Sequence, residues 1–245
     1  MDHPVELPEG LLPAPLVATT SAPPELLDPL LDELVAEPCG HSWRGLLEDL
    51  GELRGAERLE ALLRAARAHR PFTLYVYVCA GQAIAIGTVA DRVTAAFPHD
   101  GFPVVARCYI HPAWRGRGLY PHLVRHRLGV CRARWGERLE AVHLGAADST
   151  VLATIEGLRV EPSFVYVGDE ELRVAGEPWT VKDFLAPTEG FLRKLRAAGV
   201  PELDRFLSEG ADAVDFATLH AAVAGRDELA VRQLVELLDA IGVVR

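Results

Sequence analysis

The feature that most constrains this chain is a strand, a glycine-rich loop and a long helix that follow one another over residues 104–135. The loop, residues 115–118, has the sequence RGRG and opens a predicted helix, Leu119–Trp135, whose apolar residues follow core spacing. Glycines at such a junction let successive backbone N–H groups point into one concavity, and the helix N-terminus adds a partial positive charge. The pattern predicts an anion site whose geometry suits a pyrophosphate.

The distribution of charge supports the same site. Residues 107–138 hold eight arginines against one acid, Glu137, whereas the whole chain has a formal net charge of −10. A negative mean field disfavours nucleic acid as a partner, while a local basic segment suits a small polyanion. Two simpler interpretations stay open, since Gly-x-Gly often marks only a tight turn and helix arginines often form a solvated face. A Walker loop and a dinucleotide-binding fingerprint are excluded because neither G-K-[ST] nor G-x-G-x-x-G is present here.

Composition indicates a soluble, cytoplasmic globular protein. The 245 residues, 49% of them hydrophobic, allow one large domain or a medium one with a smaller appendage. The four cysteines are isolated, so neither a disulfide framework nor a metal site is predicted. The acidic, proline-broken start lacks the pattern of an export signal. The most apolar stretch, 74–90, is interrupted at Gly81 and predicts two buried strands joined by a tight turn, so no membrane partner is expected.

The order of predicted elements is that of an α/β protein followed by a helical region. We predict a proline-rich segment with a possible first strand over 1–24, an α/β domain over 25–176, a polar linker over 176–187 and a helical C-terminal domain over 188–245. Within the α/β domain the predicted helices are 25–35, 55–69, 119–135 and 149–156, and the predicted strands are 72–79, 83–89, 104–110, 140–144 and 159–167.

Residues 110–119, with the sequence IHPAWRGRGL, resemble the acyl-CoA-binding motif of the GNAT superfamily of N-acyltransferases. That motif is R/Q-x-x-G-x-G/A after a strand ending in V-x-P, and the order of elements over 12–167 is also similar to the family's. The resemblance implies a GNAT-like domain with a mixed, mostly antiparallel central sheet flanked by helices, here followed by a small all-α domain.

The resemblance also implies which residues bind the co-substrate, acetyl-CoA or another acyl-CoA, with no metal involved. Backbone amides of 115–120 would hold the pyrophosphate, and the strand ending at Ile110 would pair with the pantetheine arm beside a splayed neighbour at 142–145. The implied cofactor-binding residues are Tyr109, Ile110, Arg115, Gly116, Arg117, Gly118, Leu119 and Tyr120.

The sequence departs from the family pattern at three places. The last motif position, usually Gly or Ala, is Tyr120, which leaves the backbone amides in place. In the second family motif, Ala146 stands where an Asn is usual and Ala153 where a Tyr often protonates the departing thiolate. Val104 and Ala106 occupy positions where some members carry a Glu or His base. The usual general acid and bases are therefore missing.

Four side chains remain available for proton transfer: Tyr109 and His111 at the strand end, His143 on the next strand, and Ser149 at the following helix start. Each also has a structural interpretation, because a buried histidine, a core tyrosine and an N-cap serine are all common. We favour His143 as the catalytic group, with Tyr109 second and Ser149 as a further candidate. Positioning alone can also lower the barrier to acyl transfer substantially.

The expected activity is transfer of an acyl group, acetyl first of all, from acyl-CoA to a primary amine of a small molecule or peptide. Two alternatives stay open: a non-catalytic acyl-CoA-binding or interaction protein, and a GNAT-fold enzyme of different chemistry, such as a decarboxylase of a malonyl thioester. The C-terminal helices are expected to be a structural appendage or a homodimer contact rather than a lid over the substrate.

Overall fold

The computed structural model describes residues 2–36, 53–67, 72–92, 102–146, 164–174 and 177–241. The strands are β1 (Asp2–Val5), β2 (Leu16–Thr19), β3 (Phe72–Cys79), β4 (Gln82–Arg92), β5 (Phe102–Ile110), β6 (Ala141–Ala146), β7 (Val165–Val174) and β8 (Glu177–Pro187). The helices are α1 (Pro24–Ala36), α2 (Gly55–Arg67), α3 (Leu119–Trp135), α4 (Glu189–Arg196), α5 (Pro201–Glu209), α6 (Phe216–Val223) and α7 (Leu229–Ile241).

The chain forms two compact units. Unit 1 comprises Met1–Ala90, Val105–Gly129 and Val174–Glu177, and unit 2 comprises Asp91–Val104, Val130–Arg173 and Pro178–Arg245. The predicted mixed, mostly antiparallel sheet flanked by helices, with further helices at the C-terminal end, is confirmed. Among the described residues, no helix combines the length and apolar character that crossing a bilayer requires.

The strands of unit 1 lie in the order β1-β2-β3-β4-β5, and the pairings from β1 to β4 are antiparallel. The two-residue connection between β3 and β4 carries positive φ angles, 49° at Ala80 and 76° at Gly81. Two consecutive residues of this kind form the turn whose twist matches a right-handed hairpin. The tight hairpin predicted within 74–90 is therefore confirmed.

Helix α1 covers one face of the unit 1 sheet because its leucines recur at helical spacing. The buried residues of this cluster come from α1, the connection before it, β3, β4 and β5. They are Ala22, Leu27, Leu30, Leu31, Leu34, Val76, Ile86 and Tyr109. Spacing of three and four residues places Leu27, Leu30, Leu31 and Leu34 on one side of the helix, which explains why that side is buried.

Helix α2 is fixed to α1 by an ion pair whose cation is buried. Arg58 has a side-chain exposure of 1% and lies 2.7 Å from the Asp32 carboxylate and 3.9 Å from that of Asp28. The backbone N–H of Gly55 donates to the second Asp28 oxygen at 2.7 Å. A buried guanidinium is tolerated only where anions or acceptors compensate its lost hydration, so the two acids of α1 determine where α2 lies.

Replacing both acids with alanine (Asp28→Ala with Asp32→Ala) is expected to lower the free energy of unfolding by about 3 kcal/mol, because it leaves the Arg58 charge buried without its carboxylates. Urea unfolding measures this change. The matched control is Glu60→Ala, which breaks the Arg64–Glu60 pair at 2.8 Å on exposed side chains of the same helix. That variant should lose less than about 0.5 kcal/mol. Equal losses in the free energy of unfolding would show that the buried ion pair stabilises the protein no more than the exposed one.

The strands of unit 2 lie in the order β6-β8-β7, and β6 and β8 are antiparallel. One apolar core joins these strands to α4, α5, α6 and α7. Phe191 and Leu195 of α4 are fully buried in it, as are Leu237 and Leu238 of α7. Val167 of β7 belongs to the same core. The separate helical domain predicted over 188–245 stays a prediction.

One sequence-based prediction in this region is wrong. The segment 176–187, interpreted as a polar linker between two prolines, contains the strand β8. Its second half, Asp183 to Pro187, is buried, and Pro187 pairs with Ala141 at the end of the ladder. The prolines at 178 and 187 lie near the two strand ends, where a missing N–H costs little. The predicted strand 159–167 corresponds only in part to β7, which begins at Val165, and the predicted helix 149–156 lies outside the described residues.

Candidate active site

The loop after β5 is tied to the sheet at its first residue. The His111 N–H donates to the Ile84 carbonyl at 2.9 Å, and His111 Nδ1 accepts from the Ala113 N–H at 3.1 Å. A turn of 3-10 helix, Pro112–Trp114, follows directly. These contacts fix the direction in which the chain leaves β5, and they use His111 as a cap of that turn.

Two glycines then turn the backbone into α3. Gly116 and Gly118 both have a φ of 72°, a left-handed conformation that favours glycine. A Cβ at either position would meet no atom within 4 Å, so the backbone angle and not crowding requires glycine there. Helix α3 begins at Leu119, which is buried, and the backbone N–H groups at the start of a helix have no acceptor within that helix. Pro121, in the first turn of α3, carries no N–H, so the donors at this end come from the residues before it. Such a turn presents backbone donors to an anion.

Two arginines stand beside this loop with their guanidinium groups held in place. Arg115 Nε donates to the Ile110 carbonyl at 2.9 Å, and its guanidinium lies 5.2 Å from the centre of the Tyr109 ring. Arg117 lies 4.8 Å from the centre of the Trp114 ring. Both side chains are exposed, and stacking on an aromatic face orients each cation at the surface of the loop. Arg117 also donates to the Ala113 carbonyl at 3.4 Å.

Not every arginine of the basic segment 107–138 lies at the surface of the protein. Arg127 of α3 is fully buried, its Nε donates to the Leu123 carbonyl at 3.2 Å, and its guanidinium lies against Gly87 of β4. The count of eight arginines therefore overstates the surface charge near the loop. In contrast, Arg125 and Arg132 of the same helix are exposed, as a solvated helix face predicts.

Polar side chains surround Arg127 beneath α3. The Tyr77 hydroxyl lies 3.2 Å from His126 Nδ1, and burial raises the pKa of Tyr77. Burial, and then the charge of Arg127, lowers the pKa of His126 to about 4. Burial also raises the pKa of the Cys108 thiol. These groups are neutral at pH 7, so Arg127 is the charge that this cluster accommodates.

In unit 2, His143 of β6 meets an acid that no sequence motif indicated. His143 Nε2 lies 2.7 Å from Asp183 Oδ1 of β8, with side-chain exposures of 5% and 1%. The register pairs His143 with Leu185 and Gly145 with Asp183, so the acid reaches the histidine diagonally. The two residues are 40 positions apart, and only the pairing of β6 with β8 brings them together.

Of the other predicted site residues that the structure describes, some lie at the ends of the loop and one lies in the core. Tyr109 is buried under α1, at 6% exposure, with its ring against Arg115, while Ile110 and Tyr120 are half-buried at the two ends of the loop. Ser149 lies outside the described residues. In the ranges that the structure describes, no three His, Cys, Asp or Glu side chains are grouped as a metal site requires.

Comparison with solved structures identifies the fold. A protein described as a probable acetyltransferase matches with a TM-score of 0.52 and 12% identity, covering 72% of this chain and 94% of that one. An N-acetyltransferase from Staphylococcus aureus Mu50 matches with a TM-score of 0.50 and 12% identity, covering 70% of this chain and 98% of that one. The fold is GNAT-like. No protein-family model matches the chain, and no curated protein matches it in sequence.

The loop that resembles the acyl-CoA motif lies between a strand and a helix, as the sequence pattern predicted. It follows β5 directly and ends where α3 begins. Its two glycines have the left-handed angles that the turn needs, and Tyr120, the departure at the last motif position, lies inside the first turn of α3. Residue 120 therefore has helical backbone, as the second residue of α3.

Proposed function

We propose that this chain transfers an acyl group, acetyl first of all, from acyl-CoA to a primary amine. The observation that carries the proposal is the glycine-turned loop, residues 115–118, at the N-terminus of α3 and directly after β5. Two stacked guanidinium groups, those of Arg115 and Arg117, stand beside it. The likeness of the fold to proteins described as acetyltransferases supports the same activity.

In this proposal the loop binds the pyrophosphate of CoA. Backbone N–H groups of Gly116 to Tyr120 donate to its oxygens, with the partial positive charge of α3 behind them. The sequence-based prediction began this set at Arg115, but the Arg115 N–H donates to the Pro112 carbonyl at 3.2 Å. Arg115 and Arg117 donate charge-assisted hydrogen bonds, which are about twice as strong as neutral ones. Tyr109 contributes by holding the Arg115 guanidinium at its ring face, 5.2 Å away.

The acyl transfer itself requires a neutral amine and the net movement of one proton from the amine nitrogen to the CoA sulfur. The amine nitrogen attacks the thioester carbonyl, the new C–N bond forms, the C–S bond breaks, and the proton of the amine ends on the CoA sulfur. We assign His143 as the group that accepts this proton and then returns it to the thiolate, as a histidine can near neutral pH. The family resemblance implies that the thioester would be placed beside the strand segment 142–145, and this implication is part of the proposal.

The acceptor remains a primary amine of a small molecule or peptide. A chain with a formal net charge of −10 attracts a cationic amine and does not repel it. The amine reacts only in its neutral form, so a base near the thioester would widen the range of pH over which transfer occurs.

Acetyl-CoA is expected to raise the melting temperature. A ligand that binds only the folded state at a hundred times its Kd adds about 2.7 kcal/mol, which for a chain of this size is a rise of about 5–10 °C. Differential scanning fluorimetry with acetyl-CoA and longer acyl-CoAs measures it, with adenosine as the control that lacks a pyrophosphate. The absence of a shift with every chain length would contradict the binding site itself.

Turnover distinguishes the proposed enzyme from its alternatives. Acetyl-CoA and a panel of primary amines should release free CoA thiol, detected with a thiol reagent, and acetylated amine, detected by mass spectrometry. Stabilisation by acetyl-CoA without release of thiol from any amine would favour a non-catalytic binding protein. Release of carbon dioxide from malonyl-CoA would favour the decarboxylase.

A further inference from the structure

We propose that Asp183 is a positioning residue that fixes His143 with its proton on Nε2, so that Nδ1 is the atom that accepts the proton of the amine. This inference rests on the proposed function and adds to it a residue that the loop motif does not contain. It also assigns the two ring nitrogens of His143 to different tasks.

The assignment of the nitrogens follows from the contact between the two side chains. His143 Nε2 lies 2.7 Å from Asp183 Oδ1. An ionised carboxylate accepts hydrogen bonds and donates none, so the hydrogen in this contact belongs to Nε2. The nitrogen that keeps its lone pair is then Nδ1, because in neutral imidazole one ring nitrogen carries the hydrogen and the other is the acceptor.

The strand pairing shows that this position of the carboxylate is built into the sheet. Gly145 lies opposite Asp183 in the ladder of β6 and β8. A Cβ at residue 145 would lie 3.1 Å from Asp183 Oδ1 and 2.9 Å from Val181 Cγ1. The absence of a side chain at 145 therefore leaves the space in which the Asp183 carboxylate reaches His143.

Burial distinguishes this pair from the nearby ion pair of Lys194 with Glu140. Lys194 and Glu140 meet at 2.6 Å, but the lysine side chain is 57% exposed, whereas His143 and Asp183 are exposed by 5% and 1%. A low local dielectric strengthens a satisfied polar contact and opposes any ring orientation that would break it. When His143 gains a proton, the same carboxylate stabilises the imidazolium, as in other pairs of an acid with a catalytic histidine.

The first test compares Asp183→Asn with Glu140→Gln in steady-state turnover of acetyl-CoA with the best amine. Asn keeps the size of the side chain and removes its charge, so kcat should fall about tenfold to a hundredfold while KM for acetyl-CoA stays within about twofold. Glu140→Gln removes a carboxylate three positions from His143 and should leave kcat unchanged. A kcat of Asp183→Asn within about twofold of the wild-type value would overturn the proposal.

The second test needs no turnover. Nitrogen-15 NMR of the imidazole groups, with the His143 signals assigned by their absence in His143→Gln, reports which ring nitrogen carries the hydrogen. We expect the Nε2–H tautomer in the wild-type protein and a mixture in Asp183→Asn. The Nδ1–H tautomer in the wild-type protein would overturn the proposal even if Asp183→Asn fails to fold. A protein that shows the Nε2–H tautomer but acylates no amine would contradict the proposed function and support the placement of the proton.

Discussion

Removal of residues 188–245 is expected to abolish cooperative unfolding of unit 2. The deletion takes away α4 to α7 and exposes the side chains of β5, β7 and β8 that these helices cover. Those side chains include Phe102, Val165, Val167 and Leu185. Exposing four large apolar side chains costs about 1.5–3 kcal/mol each, and their sum is comparable to the whole stability of a typical domain, about 5–15 kcal/mol.

Differential scanning calorimetry measures the unfolding transition of the truncated chain. A fluorescent dye that binds exposed apolar surface shows whether the core of unit 2 has become accessible. Point variants in α7 provide the matched comparison. Leu237→Ala, at a fully buried position, should cost about 2–5 kcal/mol, whereas Leu229→Ala, at a position 59% exposed, should cost less than about 0.5 kcal/mol. A truncated chain with a sharp transition near the wild-type temperature would show instead that the helices fold apart from the strands.

Gly118→Asp is expected to weaken binding of acetyl-CoA at least a hundredfold, because it places a negative charge where the proposed loop meets the pyrophosphate. The expected loss corresponds to about 2.7 kcal/mol. A Cβ at residue 118 would meet no atom within 4 Å, so the new side chain is not crowded, and the strain that it adds comes from the left-handed backbone angle. Isothermal titration calorimetry with acetyl-CoA measures the change in Kd.

Two further variants separate charge from backbone conformation. Gly118→Asn has the same size as the aspartate variant and tolerates the left-handed angle of 72° about equally well, so it should lose much less affinity. Arg132→Ala removes an exposed charge from the far half of α3 and should lose little. A loss in Arg132→Ala as large as that in Gly118→Asp would mean that diffuse positive charge, and not the loop, attracts the ligand. An equally large loss in Gly118→Asn would mean that the backbone angle at residue 118, and not the added negative charge, accounts for the weaker binding.

Local patterns predicted much of this fold. Leucines at helical spacing predicted α1, a glycine at a break between two apolar runs predicted the hairpin of β3 and β4, and the RGRG loop predicted where α3 begins. Each of these signals depends on neighbours in sequence, because backbone angles and helix faces are local properties. The strand β8 was missed since two prolines and several polar residues hide its short buried half.

The contact of His143 with Asp183 could not be predicted in the same way. The sequence predicted His143 as a candidate, but its partner Asp183 lies on β8, within a segment that the sequence pattern predicted to be a linker. A cross-strand neighbour depends on register, and register depends on the packing of the whole sheet. Arg127 illustrates the opposite error, since a count of charges along the helix does not show which of them faces inward.

The guanidinium of Arg127 packs against the backbone at Gly87, which limits the substitutions that each of these two positions can accept. A Cβ at position 87 would lie 3.0 Å from Arg127 Nη1 and 3.1 Å from its Cζ. Alanine at 87 would therefore require the buried guanidinium to shift by a few tenths of an ångström, while a shorter residue at 127 would leave a void against the glycine. In sequences that descend from this chain, we therefore expect a larger residue at 87 to occur more often together with a shorter residue at 127 than with arginine.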